Sequence, residues 1–156
     1  MNIPVDRANS QKNLHVVVER IFFARRPRVF QAWTDPVLMV KWFSPATMVP
    51  VNVEANVTVG GSYRIGMREQ DGSVFYVGGK YIEIRPPERL VFTWAWQTDP
   101  PGADSLVTVE FIVGGNYTRV VLRHEQLPDS ESQASHRRGW IACLNNLEST
   151  ISRGEI

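Results

Sequence analysis

Apolar and polar positions alternate along much of this chain, and the period of that alternation changes at identifiable places. The run Leu14-His15-Val16-Val17-Val18-Glu19-Arg20-Ile21-Phe22 is rich in β-branched side chains and predicts a first strand. Pro27 suits the first turn of a helix, in which Val29, Phe30 and Trp33 recur at helical spacing until Thr34-Asp35-Pro36 interrupts. A second short helix carries Val37, Val40 and Lys41-Trp42-Phe43 and stops before Pro45. The period then shortens to two, broken at Gly60-Gly61, Asp71-Gly72, Pro86-Pro87, Asp99-Pro100-Pro101-Gly102 and Gly114-Gly115-Asn116. Strands are predicted near 48–58, 61–70, 73–85, 89–97, 105–113 and 117–126. Asp71-Gly72 reads as a tight two-residue hairpin turn with positive φ at both central positions. From about Glu131 to Arg153, Trp140, Cys143, Leu144, Leu147 and Ile151 fall at steps of three and four, the stripe of one long amphipathic helix.

A sheet with one apolar face must cover it, and the last helix is the one long element available. The expected fold is therefore α+β in the helix-grip arrangement. A seven-stranded antiparallel sheet wraps a long C-terminal helix, with two short helices after the first strand. Residues 1–12 are polar and aperiodic and read as a terminal tail, leaving 13–156 as one domain without repeats or linkers. Strand parity assigns an inner face. Leu90, Phe92, Trp94 and Trp96 point inward, as do Val107, Val109 and Phe111, and Val120, Leu122 and His124. Tyr63, Ile65 and Met67 join them from one strand, and Phe75, Val77 and Tyr81 from the next, where double glycines can hide a bulge. His136, Trp140, Cys143 and Leu144 face these from the helix.

Composition narrows the function classes. With 17 Lys+Arg against 16 Asp+Glu, a net charge of +1 gives no global pull toward nucleic acid or an anionic membrane surface. One cysteine excludes an internal disulfide, and the first residues lack an apolar signal region, so a cytoplasmic location is expected. No apolar run reaches the length of a membrane span, so membrane insertion is not expected.

A series of motifs then resembles a known family. Trp33-Thr34-Asp35-Pro36, Lys41-Trp42-Phe43-Ser44-Pro45, Gly60-Gly61-Ser62-Tyr63-Arg64 and Gly79-Lys80-Tyr81-Ile82-Glu83-Ile84 come first. Pro86-Pro87-Glu88-Arg89-Leu90-Val91-Phe92-Thr93-Trp94, Val107-Thr108-Val109-Glu110-Phe111 and His136-Arg137-Arg138-Gly139-Trp140 follow in order. From about residue 14 to 153 the chain is similar to the C-terminal domain of the activators of the heat-shock protein 90 ATPase, within the START-like (SRPBCC) superfamily. That resemblance implies a helix-grip fold with a cavity between sheet and long helix, and a superfamily whose members mostly bind apolar ligands; it implies no particular ligand. Two departures stand out. Asn56 and Thr58 replace the Asp and Arg that many relatives carry before the double glycine, and Arg25-Arg26-Pro27-Arg28 is unusually basic.

Five tryptophans in so small a domain, and polar-tipped Tyr63, Tyr81, His124 and His136 at inward positions, favour a binding cavity over a merely filled core. The expected lining is Tyr63, Ile65, Met67, Phe75, Val77, Tyr81, Phe92, Trp94, Trp96, Val109, Phe111, Leu122, His124, His136, Trp140 and Cys143. Metal binding is disfavoured. His136 and Cys143 lie about 10 Å apart along one helix, while ligands of one zinc sit within about 4 Å of each other. Cys143, mid-helix on an apolar stripe, lacks the electropositive setting of a nucleophile. No Gly-x-Ser-x-Gly elbow or phosphate-binding glycine pattern is present. The expected function is non-catalytic binding of a small hydrophobic, lipid- or polyketide-like molecule, with no cofactor and no catalytic residues; a homodimer is compatible with it. The first alternative is a polyketide cyclase or aromatase using His124, His136 or a buried tyrosine; no carboxylate is evident as an orienting partner for either histidine. The second is a co-chaperone or stress-related interaction domain. The true activators use a separate N-terminal domain to engage the chaperone, and fewer than 14 residues precede the first strand here, so a chaperone partner is not expected. Arg25, Arg26 and Arg28 sit at the positive end of a helix, read as solvated charge or as a site for an acidic partner.

Overall fold

A computed structural model describes residues 14–45 and 47–156, and the expected tail at 1–12 lies outside the described residues. The chain runs β1 (Leu14–Phe22), α1 (Arg26–Thr34), α2 (Pro36–Met39), β2 (Met48–Ala55), β3 (Ser62–Glu69), β4 (Val74–Arg85), β5 (Arg89–Trp96), β6 (Ser105–Gly114), β7 (Tyr117–Leu127) and α3 (Ser130–Ser152). The seven strands form one antiparallel sheet in the order β1-β7-β6-β5-β4-β3-β2. β1 and β2 occupy opposite edges, so the chain must cross the sheet between them. It does so through α1 and α2, whose Val29, Phe30, Trp33 and Met39 are buried in the core. Pro27 opens α1, and Asp35 caps α2 by accepting the Val37 N–H at 3.0 Å.

α3 begins where the Asp129 carboxylate accepts the Ser132 N–H at 2.8 Å, and it packs on β1 and β7. Its buried stripe is Trp140, Cys143, Leu144, Leu147 and Thr150; Ile151, expected in that stripe, is half-buried. The central strands follow parity, with Val107, Val109, Phe111, Val120, Leu122 and His124 all buried.

Two local expectations are corrected. At Asp71-Gly72 only Gly72 has positive φ, at 91°, and Glu69 N–H bonds to the Ser73 carbonyl. The connection is thus a three-residue loop, a turn closed by a left-handed glycine, rather than a two-residue hairpin. The β4 bulge falls at Ile82-Glu83, where the register against β5 shifts between Tyr81 and Glu83, and not at the double glycine. Gly79 answers a different need: a Cβ there would sit 2.1 Å from the Thr93 carbonyl oxygen, so the two strands approach too closely for any side chain.

Candidate functional site

The half of α3 nearer its N-terminus does not touch the sheet everywhere. Between it and β2, β3 and β5 lies a cavity of about 450 Å³, within the range typical of small-molecule sites. Met48, Met67, Trp94 and Trp96 form the sheet wall. Ser135, His136, Arg138, Gly139, Trp140, Ala142 and Cys143 form the helix wall, and Pro45 and Thr47 form the rim. These helix positions recur at steps of three and four, so one face of α3 is presented to the space.

Small side chains, those of Ser135, Gly139 and Ala142, alternate on that face with His136, Arg138 and Trp140. Gly139 is interior to a 23-residue helix, where glycine costs roughly 1 kcal/mol relative to alanine. A Cβ at Gly139 would meet no atom within 4 Å. Packing therefore does not demand glycine here, and its effect is to leave room.

Below the cavity, His124 is fully buried in a hydrogen-bonded chain. The Trp140 indole N–H donates to His124 Nδ1 at 2.9 Å, and His124 Nε2 lies 2.7 Å from Ser105 Oγ, which donates to the Trp94 carbonyl at 3.0 Å. An indole nitrogen can only donate, so Nδ1 must carry the lone pair and Nε2 the proton. Every hydrogen-bonding group of the ring is thereby used. Burial, helped by the neighbouring His136, pushes its pKa down to about 3, so the ring is neutral near pH 7.

His136 stands on the cavity wall itself. Its Nδ1 is 2.8 Å from the Ser132 carbonyl oxygen, which can only accept, so Nδ1 holds the proton. Nε2 receives a long bond, 3.4 Å, from the Trp96 indole. Burial lowers its pKa, against opposing pulls from the Ser132 carbonyl and Asp99. Burial likewise raises the Cys143 thiol far above the range in which a thiolate forms, so it is a packing atom at neutral pH. The indole N–H groups of Trp33 and Trp94 are buried without a hydrogen-bond partner among the described residues.

The sixteen expected lining residues separate into four groups. Met67, Trp94, Trp96, His136, Trp140 and Cys143 line the cavity. Tyr63, Ile65, Tyr81 and Phe92 close instead with Trp33, Met39, Phe43 and Leu90 around a void of only about 10 Å³. There Tyr63 donates to the Thr93 carbonyl at 2.5 Å, and burial raises the Tyr81 phenol to about 12. Val77, Val109, Phe111, Leu122 and His124 are buried core. Phe75 is 36% exposed; it pairs with Met67 as parity requires, but it stands at the start of β4 where little covers it. Pro45, Thr47, Met48, Ser135, Arg138, Gly139 and Ala142 complete the wall and were not expected from the sequence. Gly139 carried a readable signal, an isolated glycine inside a helical pattern. The rim residues carried none.

A family model described as "Activator of Hsp90 ATPase homolog 1-like protein" matches residues 24–152. No curated protein matches the sequence. Among solved structures, a protein from Chromobacterium violaceum is 25% identical with a TM-score of 0.79, covering 86% of this chain and 94% of its own. The AHSA1 protein from Silicibacter pomeroyi is 24% identical with a TM-score of 0.78, covering 90% and 99%. An HSP90 activator from Plasmodium falciparum is 22% identical with a TM-score of 0.70, covering 89% and 96%.

Proposed function

The chain belongs to the activator of Hsp90 ATPase homolog 1-like family, and from that premise we propose that it binds a small, mostly apolar molecule in the cavity between α3 and the sheet. The observation that carries this reading is the cavity's helix wall. A glycine that packing does not require, flanked on the same face by Ser135 and Ala142, keeps about 450 Å³ open beside three tryptophans. Tryptophan faces offer stacking surface to a flat guest, and few polar groups converge on the space.

The neutral fluorescent aromatic 1-aminoanthracene tests this. It is expected to bind the purified protein with enhanced emission, and Gly139→Phe, which fills the space from the helix side, is expected to abolish the enhancement while thermal unfolding stays cooperative. Equal enhancement in the folded variant would overturn the reading.

A catalytic version of the same reading rests on His136, which stands on the cavity wall with only a long 3.4 Å bond at Nε2, whereas His124 is held by two short bonds and does not line the cavity. Turnover of a bound aromatic polyketide that disappears in His136→Ala would carry it; binding without turnover leaves a binding protein. The likeness to the Plasmodium falciparum activator, at 22% identity, supports the fold and adds no argument for a chaperone role.

A further inference from the structure

We propose that the guest of this cavity is an amphipathic anion, an apolar and preferably aromatic body bearing one carboxylate, whose charge is met by Arg138 at the cavity mouth; the inference rests on the binding function proposed above. Arg138 belongs to the cavity lining and is at the same time an exposed residue, which places it where the space opens to solvent. Its guanidinium forms no ion pair among the described residues, a state it shares with Arg25, Arg26, Arg28, Arg64, Arg68 and Arg137, but of these seven only Arg138 lines the cavity. Among the described residues, no aspartate or glutamate lines the cavity. The carboxylate that acts on His136, that of Asp99, is committed to the backbone N–H of Trp96 at 2.9 Å.

The remaining polar groups on the wall bring no opposing charge. The Trp94 indole N–H is buried without a hydrogen-bond partner among the described residues, and the Cys143 thiol is held in its protonated form, so neither residue brings a negative charge to the wall. The imidazole acceptor on the wall, His136 Nε2, is already engaged by the Trp96 indole. A site with a planar cation at its mouth, no carboxylate on its described lining and aromatic walls within is complementary to a carboxylate on an aromatic body. A fork of guanidinium N–H groups can take both carboxylate oxygens while the body stays among Trp94, Trp96 and Trp140.

Calorimetric titration with 2-naphthoate and with uncharged 2-naphthylmethanol at pH 7.5 separates the two levels of this claim. The wild-type protein is expected to bind naphthoate about tenfold more tightly than the alcohol, the scale of one charge-assisted contact. Arg138→Gln is expected to remove that preference by weakening naphthoate alone, and Arg138→Lys to keep part of it. Arg138 is exposed, so both variants should unfold at the wild-type temperature, which the same samples report. Equal binding of both compounds, or a naphthoate preference that survives Arg138→Gln, overturns the anion inference and leaves the cavity reading standing. Binding of neither overturns the inference together with the reading beneath it.

Discussion

The same two strands build both a sealed core and an open cavity, and the boundary between them crosses each strand within two residues. β3 gives Tyr63 and Ile65 to the sealed side and Met67 to the open one; β5 gives Leu90 and Phe92 to the first and Trp94 and Trp96 to the second. The sheet side is large and aromatic in both. What differs is the cover. Trp33, Met39 and Phe43 fill the sealed side to a residual void of about 10 Å³, while Ser135, Gly139 and Ala142 leave about 450 Å³. A cavity in this protein is made by the small residues of the covering helix, not by the aromatic excess of the sheet. Phe43 sits at the junction, its ring 5.8 Å from that of Trp140 and 5.6 Å from that of Trp33.

This contrast is open to direct measurement. Phe43→Ala should produce the largest effect, a loss of about 3–5 kcal/mol in denaturant unfolding, because the close-packed side cannot collapse around the hole. A loss under about 1 kcal/mol would show that the sealed side is looser than its geometry. Next comes pH. His124 has a folded pKa of about 3 against an ordinary 6.5, so the unfolded chain takes up the proton first. Its stability contribution is complete above about pH 6.5 and is lost as pH falls toward 3, at about 1.4 kcal/mol per unit. By pH 5 that amounts to about 2 kcal/mol, and His136, also lowered, adds in the same direction. Unfolding at pH 7.5 and 5.0 reads the slope, which should shallow in His124→Gln; an unchanged slope would mean that the buried chain does not hold the ring neutral. Trp96→Ala, facing open space and only half-buried, should cost about 1–2 kcal/mol, well below the Phe43 value. Smallest, Gly139→Ala should stabilise by roughly 0.5–1 kcal/mol, since helix propensity is gained and the added methyl meets nothing. Destabilisation there would mean that Gly139 serves the fold after all.

Most of the fold was readable along the chain because its elements are patterned locally. Asp129 caps α3, Pro27 starts α1, and strand parity correctly placed Val107, Val109, Phe111, Val120 and Leu122 inside. Parity fixes which face a side chain takes, but not what lies above it. Phe75 and Met67 share a face and a register, yet one is covered and the other is 36% exposed. The turn at Asp71-Gly72 lies where the sequence places it but spans three residues, and the β4 bulge lies beyond the double glycine, for a related reason: glycine marks permissive backbone without saying which neighbour uses the freedom.

The α+β class, the strand and helix order, most of the buried stripe of α3 and the family resemblance are legible in the chain, since they follow from periodicity and from contiguous motifs. Folding in three dimensions settles that six of the sixteen expected residues share one space with Arg138 and Gly139 while four others seal a separate core. It also settles that His124 is locked between Trp140 and Ser105. The physical reason is that an empty volume belongs to no residue. It is the difference between two facing surfaces, and α3 meets β3 and β5 only after more than 30 intervening residues have folded between them.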